Sequence, residues 1–179
     1  MTEGRDWVRM QAEACPDCGH DSSLVDDTDM PRALTDAVAV WAATLATADA
    51  PSLRRWPGLD VWSPLEYACH TRDVIAVFEE RVRRTAAEPG QQLGWWDHAA
   101  AVTDEKYNEQ VPVLVAEAMA ANARRLGQTL ADLDPADWDL STERRPGEHF
   151  TIRGMAGFVL HEIVHHHWDA DRLLDANRG

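Results

Sequence analysis

Four of the chain's eight histidines fall within seven positions, in the stretch HEIVHHHWD at residues 161–169. Neutral imidazoles bind divalent metals and carry protons near pH 7, so the first question is which of these side chains can act together. If the stretch is helical, successive residues are rotated by about 100°, which sets His165 about 40° from His161, His166 about 140° away and His167 about 240° away. His161 and His165 therefore share a face, and they form the only i, i+4 histidine pair in the chain. That spacing brings two imidazoles to one ion. Phe158 and Trp168 continue the same face, which is expected to point into the protein. Two ligands do not close a site, and the best third donor is His70, on the inward stripe formed with Tyr67, Val74 and Val77. Each histidine taken alone also has a plainer reading as a core or boundary residue with a hydrogen-bond partner.

These residues need long helices to hold them, and the sequence supplies helix signals with almost no strand signals. Pro31 at a first-turn position behind Asp29, followed by Leu34, Val38, Trp41 and Leu45, predicts a helix over 31–49. Ser63-Pro64-Leu65-Glu66 is a capping serine, a first-turn proline and a glutamate three residues on, and it opens a second helix that Pro89-Gly90 ends. A third starts near Pro112, carries Val115, Met119, Leu126, Leu130 and Leu133, and stops at Asp134-Pro135. A fourth is capped by Thr151 and runs through the histidines to Leu174. The stretch WWDHAAAVTDEKYNEQ is expected to hold a further short helix. The fold class is all-α, a four-helix bundle over 29–179 behind a polar arm over 1–28.

Bulk properties narrow the partners. A chain of 179 residues buries enough surface to fold as one domain without a disulfide or metal. Seventeen basic against 31 acidic residues give a net charge of −14, which disfavours nucleic acid and anionic membrane as partners. There is no 18-residue apolar run and no signal-peptide core, and three cysteines are an odd count for a disulfide framework, so a cytoplasmic location is expected.

The histidine within SPLEYACHTRDV, the pair within FVLHEIVHHHWD and the CPDCG start together resemble the DinB-like four-helix-bundle metalloproteins over roughly residues 31–174, most closely their actinobacterial members. The resemblance implies an up-down-down-up bundle and a divalent metal, zinc or nickel, held by three histidines that map onto His70, His161 and His165. It further implies kinship with transferases and isomerases that use mycothiol, bacillithiol or glutathione, and it suggests a homodimer.

Three neutral ligands leave the +2 charge of an ion uncompensated and a coordination position open, the condition under which bound water or a thiol loses its proton near neutral pH. Zinc, nickel, iron and copper all accept imidazoles. Asp73, Glu162 and His166 are candidates to support the ligands, although Asp73 and Glu162 read equally as solvated charges, Glu162 the more so. Cys69 reads as a small buried residue, and Trp62, Trp95, Trp96 and Trp168 fall where they would frame a site for a small organic substrate. Cys15 and Cys18 have the spacing of half a zinc site, with His20 a conceivable third ligand and no second cysteine pair to complete it. The stretch reads as a second metal site, a redox or incidental pair, or an unstructured arm. The functional expectation is a metal-dependent enzyme that activates a low-molecular-weight thiol or water against a small electrophile. The alternatives are a non-catalytic metal or small-molecule binding bundle active in stress response, and a purely structural bundle.

Overall fold

The computed structural model describes residues 13–58, 61–145 and 148–176. Four long helices make the body: α1 (Met30–Thr47), α3 (Pro64–Ala87), α5 (Pro112–Ala131) and α6 (Ile152–Ala176). Two short helices, α2 (Ala50–Arg54) and α4 (His98–Asp104), lie in the connections, and α4 falls inside the stretch expected to be helical. The N-terminus of α3 forms as its residues dictate. Glu66 N–H donates to Ser63 Oγ at 3.2 Å, and Ser63 N–H donates back to Glu66 Oε2 at 2.7 Å, a complete capping box. Asp49 caps α2 by its carboxylate alone, which accepts from the Ser52 N–H at 2.9 Å.

Packing places α1 and α3 diagonally, each against α5 and α6. Side-chain contacts give the directions. Trp41 donates to the Ile163 carbonyl at 2.9 Å and Thr44 hydrogen-bonds His167 at 2.8 Å, so α1 and α6 run parallel. Pro31, at the start of α1, lies against Gly127, near the end of α5, so those two are antiparallel. Arg72 meets Asn122 and Glu79 meets Thr129, which makes α3 and α5 parallel. Phe78 packs on Phe158 while His70 packs on His166, which makes α3 and α6 antiparallel. The bundle is up-down-down-up.

Its core is built from helical stripes, with Leu34, Val38, Trp41 and Leu45 of α1 buried as their spacing predicts. On α3 the buried stripe is broader and rotated from the expected one: His70 and Val74 are buried, Tyr67 and Val77 are half-buried, and Ala68, Ile75, Phe78 and Val82 carry the packing. Cys69 is fully buried, with its thiol 3.6 Å from the Tyr107 carbonyl, and burial pushes that thiol up to about 12. Among the described residues no helix is long and apolar enough to cross a membrane.

Two features go beyond what the sequence predicts. An antiparallel hairpin, β1 (Ser141–Arg145) and β2 (Glu148–Thr151), precedes α6, and the backbone of residues 90–93 runs alongside β1 through Gly90 N to Ser141 O at 2.8 Å and Leu93 N to Glu143 O at 2.9 Å. Gly90 makes that turn at φ +84°, a conformation open to glycine at no steric cost. The hairpin thereby anchors the loop that leads to Trp95, Trp96 and α4. The second is the arm, which the sequence leaves open between a metal site, a redox or incidental pair and an unstructured segment. Its described part is docked, with Cys15 and Ser22 buried and the Ser22 hydroxyl donating to the Gly157 carbonyl of α6 at 2.8 Å. Residues 1–12 of the expected arm lie outside the described residues.

Two substitutions test this packing. Ser63→Ala removes the cap of α3 and is expected to lower stability by about 1 kcal/mol, read as a lower urea midpoint at unchanged m. His167→Ala removes the hydrogen bond to Thr44 and an edge contact with the Trp41 ring at 5.2 Å, and it should cost about 1–2 kcal/mol on the same measurement.

Candidate metal centre

α6 carries three adjacent i, i+4 pairs: His161 with His165, Glu162 with His166, and Ile163 with His167. Each pair is turned by about 100° from the next, so each meets a different neighbour. The third pair faces α1, through Trp41 and Thr44. The second faces α3, and the first faces the docked arm.

On the α3 side, ligand atoms of His70, Glu162 and His166 all lie within 4.8 Å of one another. Glu162 Oε2 is 3.6 Å from His70 Nε2 and 3.3 Å from His166 Nε2. Glu162 is buried at 5% exposure, which overturns its reading as a solvated charge. Burial alone would raise its pKa, but the neighbouring His166 and His70 imidazoles outweigh burial and hold the carboxyl below the usual range. His166 is pulled down by burial and raised more strongly by Glu162 and by Asp169, so its net shift is upward. Asp169 Oδ2 lies 3.2 Å from His166 Nδ1. His70 is different: burial lowers it to about 4, so it is neutral at pH 7. Its Nδ1 is buried and has no hydrogen-bond partner among the described residues.

Two imidazoles and one carboxylate converging from two helices are the donor set of catalytic zinc sites that keep a coordination position open. The Asp169–His166 contact supplies the carboxylate that orients a ligating imidazole and fixes its tautomer. The residues present therefore fit a divalent ion.

Aromatic rings close the site from outside. Trp62 lies 4.9 Å from the His70 ring, and Trp96 stacks on it at 5.6 Å with the planes 5° apart. His98, at the start of α4, is 5.7 Å from the same ring. Of the four tryptophans expected to frame a site, Trp62 and Trp96 do so here, Trp168 lies beside His165 at 5.7 Å, and Trp95 is 80% exposed. Trp96 also borders a cleft of about 470 Å³ lined by Arg72, Asp73, Val77, Asp97, Asp104 and Glu105 among others. Asp73 belongs to that cleft. Its carboxylate accepts from Tyr107 Oη at 2.5 Å and from Arg72 at 2.7 and 2.9 Å, which ties α3 to the segment after α4.

On the arm side, ligand atoms of Cys15, Cys18, His161 and His165 form a second group within 4.8 Å of one another. The three histidines proposed from the sequence are thus divided between two clusters: His70 meets Glu162 and His166, whereas His161 and His165 meet the cysteine pair. The expected half site at Cys15 and Cys18 has its nearest partners on α6, 143 or more residues away in the chain, while His20 stands outside the group of four. Glu162 and His166, both expected from the sequence only as supports to the ligands, with Glu162 reading slightly more as a solvated charge, instead stand at the centre of the α3-facing cluster. The signal for the α3-facing cluster was present as a second i, i+4 pair, Glu162 and His166, one residue out of phase with the histidine pair.

Residues 33–170 match the model of the DinB superfamily. No curated protein matches the chain. Among solved structures, the chain is similar to YfiT from Bacillus subtilis, described as a probable metal-dependent hydrolase with an unusual four-helix bundle topology. The TM-score is 0.75 at 15% identity, over 86% of this chain and 87% of that one, a likeness of fold. With its family model matched over most of its length and its helices in this arrangement, the chain belongs to the DinB superfamily.

Proposed function

We propose that this protein is a divalent-metal-dependent enzyme whose ion is held by His70, Glu162 and His166, and that it acts on a small electrophilic substrate with water or a low-molecular-weight thiol as nucleophile. The observation that carries the reading is the buried Glu162 carboxylate between two imidazoles, beneath an aromatic wall that opens onto a cleft. The description of YfiT as a probable metal-dependent hydrolase supports the same class of chemistry. This ligand set replaces the His70, His161 and His165 triad expected from spacing, because the α3-facing stripe of α6 is the Glu162 and His166 one.

A bound divalent ion supplies a Lewis acid that lowers the pKa of a coordinated water or thiol toward neutrality. The chain's own residues prepare that chemistry. Glu162 contributes the one negative charge of the donor set, so an ion there keeps residual positive charge. Asp169 holds the His166 ring with Nε2 directed at Glu162. Trp62 and Trp96 shield the His70 side from bulk water, which strengthens every electrostatic interaction within. His98, beside both His70 and Trp96, is placed to carry a proton between the site and the cleft. The acidic lining of the cleft, Asp73, Asp97, Asp104 and Glu105 with Arg72 the counter-charge, favours a neutral or cationic substrate over a polyanion.

The test is elemental analysis of protein purified without an affinity tag, followed by turnover assays on small esters and on electrophiles with mycothiol. His70→Ala, Glu162→Gln and His166→Ala should each cut metal-stimulated turnover on the order of 100-fold or more. His167→Ala, on the α1-facing stripe, should leave turnover near the parent value at a temperature where it is folded. Turnover indifferent to chelation would sink the proposal, and tight small-molecule binding with no turnover would assign the bundle to binding instead.

A further inference from the structure

The arm presents a physical problem that the α3-facing cluster does not solve. Between Glu13 and Leu24 the chain is ordered against α6, yet only Cys15 and Ser22 are buried there, and Leu24 is 80% exposed. Holding a dozen residues in one conformation costs backbone entropy at each of them, and two small side chains return little apolar burial against it. The Ser22–Gly157 hydrogen bond is one fastening, and the cysteine pair against α6 offers a stronger one.

The geometry points to a structural zinc site formed by Cys15, Cys18, His161 and His165, which fastens the N-terminal arm to α6. The four ligand atoms lie within 4.8 Å of one another. Cys15 Sγ is 3.6 Å from His165 Nδ1. A tetrahedral ion with Zn–S of about 2.3 Å and Zn–N of about 2.05 Å sets an S···N edge of about 3.6 Å, the separation found. All three cysteines are free thiols, so neither member of the pair is spent in a disulfide.

The local backbone is shaped for the purpose. Gly19 turns at φ +74°, its N–H donates to the Cys15 carbonyl at 2.9 Å, and Cys15 N–H donates to the His20 carbonyl at 2.8 Å, so both cysteines sit in one tight turn. Burial and the neighbouring Cys15 push the Cys18 thiol up to about 11, against the smaller lowering effect of the His20 backbone. On the helix side, Asp169 Oδ2 lies 3.5 Å from His165 Nε2, a carboxylate behind the imidazole whose other nitrogen faces the sulfur. Two thiolates neutralise the +2 charge, and four protein donors complete a tetrahedron, so the site is closed and its role is to hold structure. It shares no donor residue with the His70 cluster, which contains no sulfur.

Cobalt(II) separates the two. Titrated into tag-free, metal-stripped full-length protein, one equivalent should produce an intense near-ultraviolet sulfur-to-cobalt charge-transfer band with the visible spectrum of a tetrahedral ion. A second equivalent should add no charge-transfer intensity, since it reports the His70 cluster. The band should be lost in C15S/C18S, much weakened in His161→Ala, and unchanged in His70→Ala. Because the serine variant could unfold the arm for other reasons, the parent protein gives a second readout. Zinc should slow alkylation of Cys15 and Cys18 at least about tenfold, with protection lost on chelation and Cys69 unreactive throughout. Absence of the band in folded parent protein, or equal alkylation with and without zinc, overturns the site whatever becomes of the catalytic proposal.

Discussion

The rotation of about 100° between neighbouring residues of α6 is the constraint on which the rest of the structure depends. The block HEI, followed one turn later by HHH, presents three parallel stripes to three different surfaces. The arm takes His161 and His165, α3 takes Glu162 and His166, and α1 takes Ile163 and His167. A one-residue change of phase would exchange every partner. The phase is held by ordinary packing, since Met155, Val159, Leu160 and Ile163 are fully or almost fully buried on the same helix.

Two polar clusters with different electrostatic characters follow from that arrangement. The α3-facing cluster centres on one buried carboxylate, and its imidazoles answer that charge unequally: His166, with a second carboxylate at Asp169, is raised, while His70, buried with no other anion, is lowered. Such a cluster tolerates a cation and leaves part of its charge unmatched. The arm-facing cluster offers two sulfurs and two imidazoles, enough to satisfy an ion completely. Asp169 touches both, lying 3.2 Å from His166 and 3.5 Å from His165. The two clusters therefore share a wall, and whatever fixes His161 and His165 toward the arm also steadies Glu162 and His166 facing α3.

The rest of the chain serves the mouth of the α3-facing cluster. The hairpin at β1 and β2 holds residues 90–93, which lead to Trp96, and the Arg72, Asp73 and Tyr107 network ties α3 to the segment that follows α4. Trp96 is in this way suspended from both ends over His70. Loops that carry binding groups on a rigid scaffold need such anchors, because their own backbones have few internal hydrogen bonds.

By itself the sequence determined the four long helices, because their apolar periods, the Ser63 capping box and the prolines at their ends are local signals. It also determined that His161 pairs with His165, since that follows from helical geometry alone. The hairpin was not legible, because its strands, STERR and EHFT, carry no apolar alternation and draw their pairing from each other and from residues 90–93. What only the tertiary structure decided is which neighbour each stripe of α6 would face. Helical phase fixes angles between side chains on one helix and says nothing about the azimuth at which another helix or an arm docks. That azimuth is set by the summed packing of all four helices, so Glu162 reads from the sequence as a support or a solvated charge, and Cys15 and Cys18 lack partners until α6 supplies them from the far end of the chain.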